Sequence, residues 1–83
     1  MTLQDVVEML ASIEHDRWSR WMNYMFSQCT NTPDGNTVIP SELGARWVRQ
    51  TQTDYSQLSD KEKDSDRKEA IRTLNALIES GLL

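Results

Sequence analysis

Apolar side chains recur at helical spacing through the first 28 positions. Placed at 100° steps, Leu3, Val6, Val7, Leu10, Ala11, Trp18, Trp21, Tyr24 and Met25 gather on one side, while Asp5, Ser12, Asp16, Ser19 and Asn23 fall opposite. Thr2, with Asp5 three residues on, has the pattern of an N-cap and a capping-box acid. A first helix to about Gln28 follows, with Leu10, Trp21 and Met25 expected in the core. Glu14 and Arg17 break its apolar stripe.

Residues 30–40, TNTPDGNTVIP, hold both prolines and a Pro-Asp-Gly turn signal, so the chain reverses there, with Thr37-Val38-Ile39 as a short extended piece. Ser41 is placed to cap a second helix ending near Thr51, with Leu43 and Trp47 as its inner edge and Arg46 and Arg49 flanking it. After the connector TQTDYSQL, Ser59 and Glu62 form an S-x-x-E capping box that starts a third helix. Its inner face is predicted to be Ala70, Ile71, Leu74, Leu77 and Ile78, and Gly81 is the expected C-terminal cap. One and two turns earlier the same face carries Lys63, Asp66 and Arg67. There is no internal repeat, low-complexity tract or second domain. The pattern predicts one small, mainly all-α domain over residues 1–83, three helices with an irregular loop or short extended hairpin.

Composition changes this picture in three ways. Eighty-three residues lie near the lower limit for a self-sufficient core, so a homo-oligomer, a dimer or higher, is expected. Nine basic against thirteen acidic residues leave a net charge of −4, which argues against double-stranded nucleic acid as a partner, because such binding needs a broadly basic surface. The longest uncharged run, Trp21 to Pro33, is too short and too polar to span a bilayer, and Met1 is followed by an acid-containing amphipathic segment with no basic n-region. Neither a membrane partner nor a secretory signal is expected.

Cys29 is the sole cysteine, which excludes an intramolecular disulfide and a thiolate pair for structural zinc and makes the cytoplasm the default compartment. His15 lies fourteen residues earlier on the same expected helix, about 21 Å along its axis, too far to serve Cys29 as a base. Glu14 and His15 are adjacent and point about 100° apart on a helix. No catalytic pair, metal set or cofactor motif emerges, so no enzyme and no cofactor are expected.

The charges that interrupt the apolar faces invite two readings. In the first, Glu14 meets Arg67 or Lys63 across a helix interface in a structural ion-pair network, with long side-chain stems covering apolar surface. In the second, Lys63 and Arg67 sit in the first two turns of the third helix because an anion binds there, where free N–H groups favour it and cations gain nothing from the helix dipole. Joined by Arg17, Arg46 and Arg49 and by the flat surfaces of Trp18, Trp47 and Tyr55, they suit a phosphorylated aromatic ligand such as a nucleotide. Trp18 and Trp47 serve equally as core or as site wall. His15 reads as a packing histidine, Tyr55 as a half-buried lid over the first helix, and Lys61, Asp64 and Lys68 as solvated.

YSQLSDKEKDSDRKEAIRTLNALIESG, Tyr55 to Gly81, resembles the C-terminal half of the RyR domain, the repeat named after ryanodine receptors, and His15-Asp16-Arg17-Trp18 resembles the family's His-Glu-x-Trp. The family's Gly-Trp-x-Tyr-Gly segment is missing, and Trp21-Met22-Asn23-Tyr24 stands loosely in its place. The resemblance implies a nucleotide-binding role and, since receptor repeats pack in pairs, a homodimer that recreates the pair. The EHxRW…YxxLxxxEKxSDR pattern is also similar to single-domain phage proteins. That implies a sponge acting in the host cytoplasm to evade anti-phage defence, sequestering an immune second messenger. The expected function is therefore non-catalytic binding of a phosphate-bearing, nucleotide-derived ligand through Arg17, Trp18, Trp47, Arg49, Tyr55, Lys63 and Arg67. The alternative is a protein–protein adaptor that uses the same Trp and Arg surface.

Overall fold

The first element begins with two residues that satisfy each other. The Asp5 N–H donates to Thr2 Oγ1 at 3.1 Å and the Thr2 N–H donates to the Asp5 carboxylate at 2.9 Å, which closes two amides that a helix start otherwise leaves open. From this cap α1 runs Leu3–Gln28. The structure, a computed structural model, describes residues 1–83.

A two-stranded antiparallel hairpin follows, β1 Thr30–Asn31 and β2 Thr37–Val38, in the register Thr30↔Val38 and Asn31↔Thr37. Its turn is built from the Pro-Asp-Gly signal. The Gly35 N–H donates to the Thr32 carbonyl at 3.0 Å, and Gly35 takes φ +91°, a conformation side-chain-bearing residues avoid. Thr32 Oγ1 accepts from the Asn36 N–H at 3.0 Å and donates to Asp34, so the loop is held by its own polar side chains.

α2 spans Ser41–Thr51. Ser41 is its first helical residue and not its cap, a correction to the expectation. Pro40 holds the cap position in extended geometry and offers only its carbonyl, which accepts from the Gly44 N–H at 2.9 Å. Glu42 in the first turn and Arg49 in the last complement the helix dipole instead. A single 3₁₀ turn, Tyr55–Gln57, leads to α3, Asp60–Glu79.

α3 carries the capping box read from sequence. Ser59 Oγ accepts from the Glu62 N–H at 3.2 Å, and the Glu62 carboxylate accepts from the Ser59 N–H at 3.2 Å. At the other end Gly81 has φ +83°. Its N–H donates to the Ile78 carbonyl and the Leu82 N–H reaches back to Leu77, both at 3.0 Å, the paired bonds of a Schellman motif. The protein is thus mainly α-helical, with three helices and one small hairpin. No helix is long and apolar enough to cross a membrane.

The chain divides into two compact units. One comprises Met1–Arg17 and Ser59–Leu83, the other Trp18–Leu58, and the boundary falls inside α1. The half-buried positions of α1 change accordingly. Val6, Met9 and Ile13 recur at i, i+3, i+7 in the first unit, and Met22 and Met25, with Cys29 just past the helix end, do so in the second. The two apolar series are out of step, since continuing the first leads to residues 16, 17 and 20, none of them apolar and only Arg20 half-buried.

The single apolar stripe expected for α1 is therefore replaced by two, and of its members only Val6 and Met25 are half-buried. Trp21 and Leu10, expected in the core, are exposed. α3 shows the same correction. Its half-buried positions include Thr73, Ala76 and Leu77, while Ala70, Ile71, Leu74 and Ile78 face outward. No side chain in the chain is fully buried.

Candidate functional site

All six aromatic residues, Trp18, Trp21, Tyr24, Phe26, Trp47 and Tyr55, lie in the Trp18–Leu58 unit. Its cations are all arginines, Arg20, Arg46 and Arg49, matched in number by Asp34, Glu42 and Asp54. The whole net charge of −4 accordingly rests on the other unit. The aromatic faces are thus concentrated in a locally neutral stretch of an acidic chain, beside three of the chain's six arginines, which removes much of the repulsion an anionic ligand would otherwise meet.

Trp47 anchors this unit. It is half-buried on α2 and meets Trp21 of α1 edge to face, with ring centroids 5.0 Å apart and planes inclined by 66°. Trp21 in turn stands edge-on to Tyr24 at 6.2 Å. T-shaped contacts place the positive rim of one ring on the negative face of the next. They fix ring orientations and leave outer faces available. Trp18 is 59% exposed and Tyr55 is 50% exposed, so Tyr55 presents more surface than the half-buried lid expected.

Arg46 and Arg49 are one turn apart on the exposed flank of α2. The end of α2 that carries Arg49 is fastened by the connector: the Arg49 carbonyl accepts from the Thr53 hydroxyl at 2.7 Å and from the Gln52 N–H at 3.1 Å. This closes a carbonyl that the helix end would leave open and holds the backbone from which Arg49 projects. Cys29 Sγ donates to the Met25 carbonyl at 3.1 Å, a helix-end contact.

No protein-family model, no curated protein and no solved structure matches the chain.

Of the seven residues assigned to a ligand from sequence, Trp18, Trp47, Arg49 and Tyr55 fall in the aromatic unit, and Arg17, Lys63 and Arg67 fall in the other. Arg17 donates to Glu14 one turn back on α1. Arg67 donates to Asp64 at 2.7 Å, again one turn back on α3. Glu14 therefore pairs within its own helix, where the structural reading had it crossing to α3. Lys63 is half-buried in the opening turns of α3, and Asp66 and Arg67 are exposed.

Sequence reasoning missed two features here. It assigned Trp21 to the core, although the i,i+3 spacing of Trp21 and Tyr24 was a signal for an aromatic pair on the helix surface. It read Asp64 as solvated, which its exposure bears out, but did not use the i,i+3 spacing that pairs it with Arg67.

Proposed function

We propose that this protein is a non-catalytic binding domain for a phosphate-bearing, nucleotide-derived ligand, and that the Trp18–Leu58 unit carries the contact. The observation behind this reading is the segregation of every aromatic side chain into that unit, where the only cations are three arginines. Exposed Trp18 and Tyr55 offer faces for a base, Trp47 braces the platform through Trp21, and Arg49, with Arg46 beside it, offers planar donor forks for phosphate oxygens. Stacking of a base on an aromatic ring is worth about 1–3 kcal/mol.

Lys63, Arg17 and Arg67 remain proposed anion contacts, and a phosphate would compete with Glu14 for Arg17 and with Asp64 for Arg67. The resemblance to the RyR repeat points the same way. Binding without turnover amounts to sequestration, the mode of action of a sponge.

A thermal-shift series with cyclic dinucleotides, cyclic trinucleotides and ADP-ribose derivatives tests the reading. A ligand at one hundred times its Kd should stabilise the protein by about 2.7 kcal/mol. Unchanged melting with the whole series would favour the second reading, a protein-interaction adaptor. That reading has its own support in Phe26 and Val48, which are exposed in the same unit and offer anchors for a protein partner.

A further inference from the structure

Two exposed stripes in the Met1–Arg17 and Ser59–Leu83 unit match each other in spacing, polarity and charge. On α1, Leu3, Val7 and Leu10 are 37–86% exposed, and on α3, Ile71, Leu74 and Ile78 are 45–54% exposed. Neither stripe is covered within the chain. Each continues into an ion pair at the same helical spacing, Glu14 with Arg17 on α1 and Asp64 with Arg67 on α3. Read forward, the first stripe steps 3, 7, 10, 14, 17; read backward, the second steps 78, 74, 71, 67, 64. Both alternate four and three residues, the seam of a left-handed helix pair, and both extend about 21 Å.

We propose that α1 of one copy of this chain docks antiparallel on α3 of a second copy, with the reciprocal contact closing a two-fold dimer. In this register Leu3 meets Ile78, Val7 meets Leu74 and Leu10 meets Ile71. Glu14 then faces Arg67, and Arg17 faces Asp64. Every charge meets its opposite. A parallel arrangement would set the apolar end of each stripe against the charged end of the other, burying Leu or Ile surface against ionised groups without gain. The charge order thus selects both the occupant and its direction, and β-branched Val7, Ile71 and Ile78 alternating with leucines suit close helix pairing. The two intrahelical ion pairs become a four-residue network, which fixes the register in the way polar residues at a helix seam do.

The test is sedimentation velocity on the ligand-free chain and on the charge reversals Glu14→Lys and Arg67→Glu, with helix content checked by circular dichroism. The wild-type chain should form dimers. Each reversal sets like charges together in both contacts of its own dimer and should weaken association at least tenfold. Mixing the two variants should restore dimers, because a mixed pair sets the introduced lysine against the introduced glutamate in one contact and keeps the native Glu14 against the native Arg67 in the other. A wild-type chain that stays monomeric at 200 µM, or a mixture that recovers no dimer, overturns the proposal. Should a reversal lose helix content, oxidative cross-linking decides. In a Cys29→Ser background, Val7→Cys combined with Leu74→Cys should give disulfide-linked dimers, and a cross-link confined to single chains overturns the proposal.

Discussion

Trp47 and Trp21 meet edge to face at 5.0 Å, an aromatic contact that ties α2 to the C-terminal half of α1 within the Trp18–Leu58 unit. In urea unfolding, Trp21→Leu and Trp47→Leu should each destabilise. Their double-mutant cycle should show a coupling of about 0.5–1.5 kcal/mol, the usual worth of such a pair beyond its burial. Additive losses would mean that the rings act separately.

The three glycines should respond to the same substitution with opposite signs. Gly44 is helical, and a Cβ there would meet Ile39 Cγ2 at an ordinary 3.7 Å, so Gly44→Ala should stabilise by about 0.5–1 kcal/mol. Gly35 and Gly81 have φ of +91° and +83°, and alanine at either should cost about 1–2 kcal/mol although there is open space for the methyl group. Thermal or denaturant midpoints of the three variants check the pattern.

Ser59→Ala should destabilise α3 by about 1 kcal/mol. Glu62→Gln should cost less, since a carboxamide oxygen can still accept the Ser59 N–H. Equal losses for the two variants would indicate that the charge of Glu62 at the helix start matters more than its hydrogen bond.

The Asp5 carboxyl is held below the usual aspartate range, first by the hydrogen bond from the Thr2 N–H and then by the Thr2 hydroxyl. Because its folded pKa is depressed, the contact contributes in full above the unfolded aspartate value of about 3.9. That contribution is lost as pH falls through the folded pKa. An NMR titration should place Asp5 below an unstructured aspartate, and Asp5→Asn should flatten the acid-side fraying of the first turn of α1. A midpoint at or above the ordinary value would contradict the cap.

Features governed by near neighbours were legible in the sequence. Thr2 with Asp5, Ser59 with Glu62, Gly81 and the Pro33-Asp34-Gly35 turn each depend on residues within five positions, so short motifs specify them. Faces were not legible. Periodicity shows that Ile71, Leu74 and Ile78 share a side of α3, but not whether that side is covered by the same chain, by another copy or by water. For the same reason Glu14 was read as crossing to α3, although Arg17 lies one turn away. The candidate site was read from its residue types, and its partition between the two units was not legible. Composition pointed to tryptophan and arginine, but nothing local reveals that the unit boundary passes between Arg17 and Trp18.

Calorimetric titration of the purified protein with the nucleotide derivative that shifts its melting most tests the binding account most directly, run in parallel on Trp18→Ala and Arg49→Ala. The account predicts saturable binding to the wild-type chain. Affinity should fall by about 1–3 kcal/mol when the stacking face is removed and by about 1.5–3 kcal/mol when the charged donor is removed, with both variants retaining wild-type stability. Affinities unchanged in both variants, or no saturable heat with any nucleotide derivative, would contradict it.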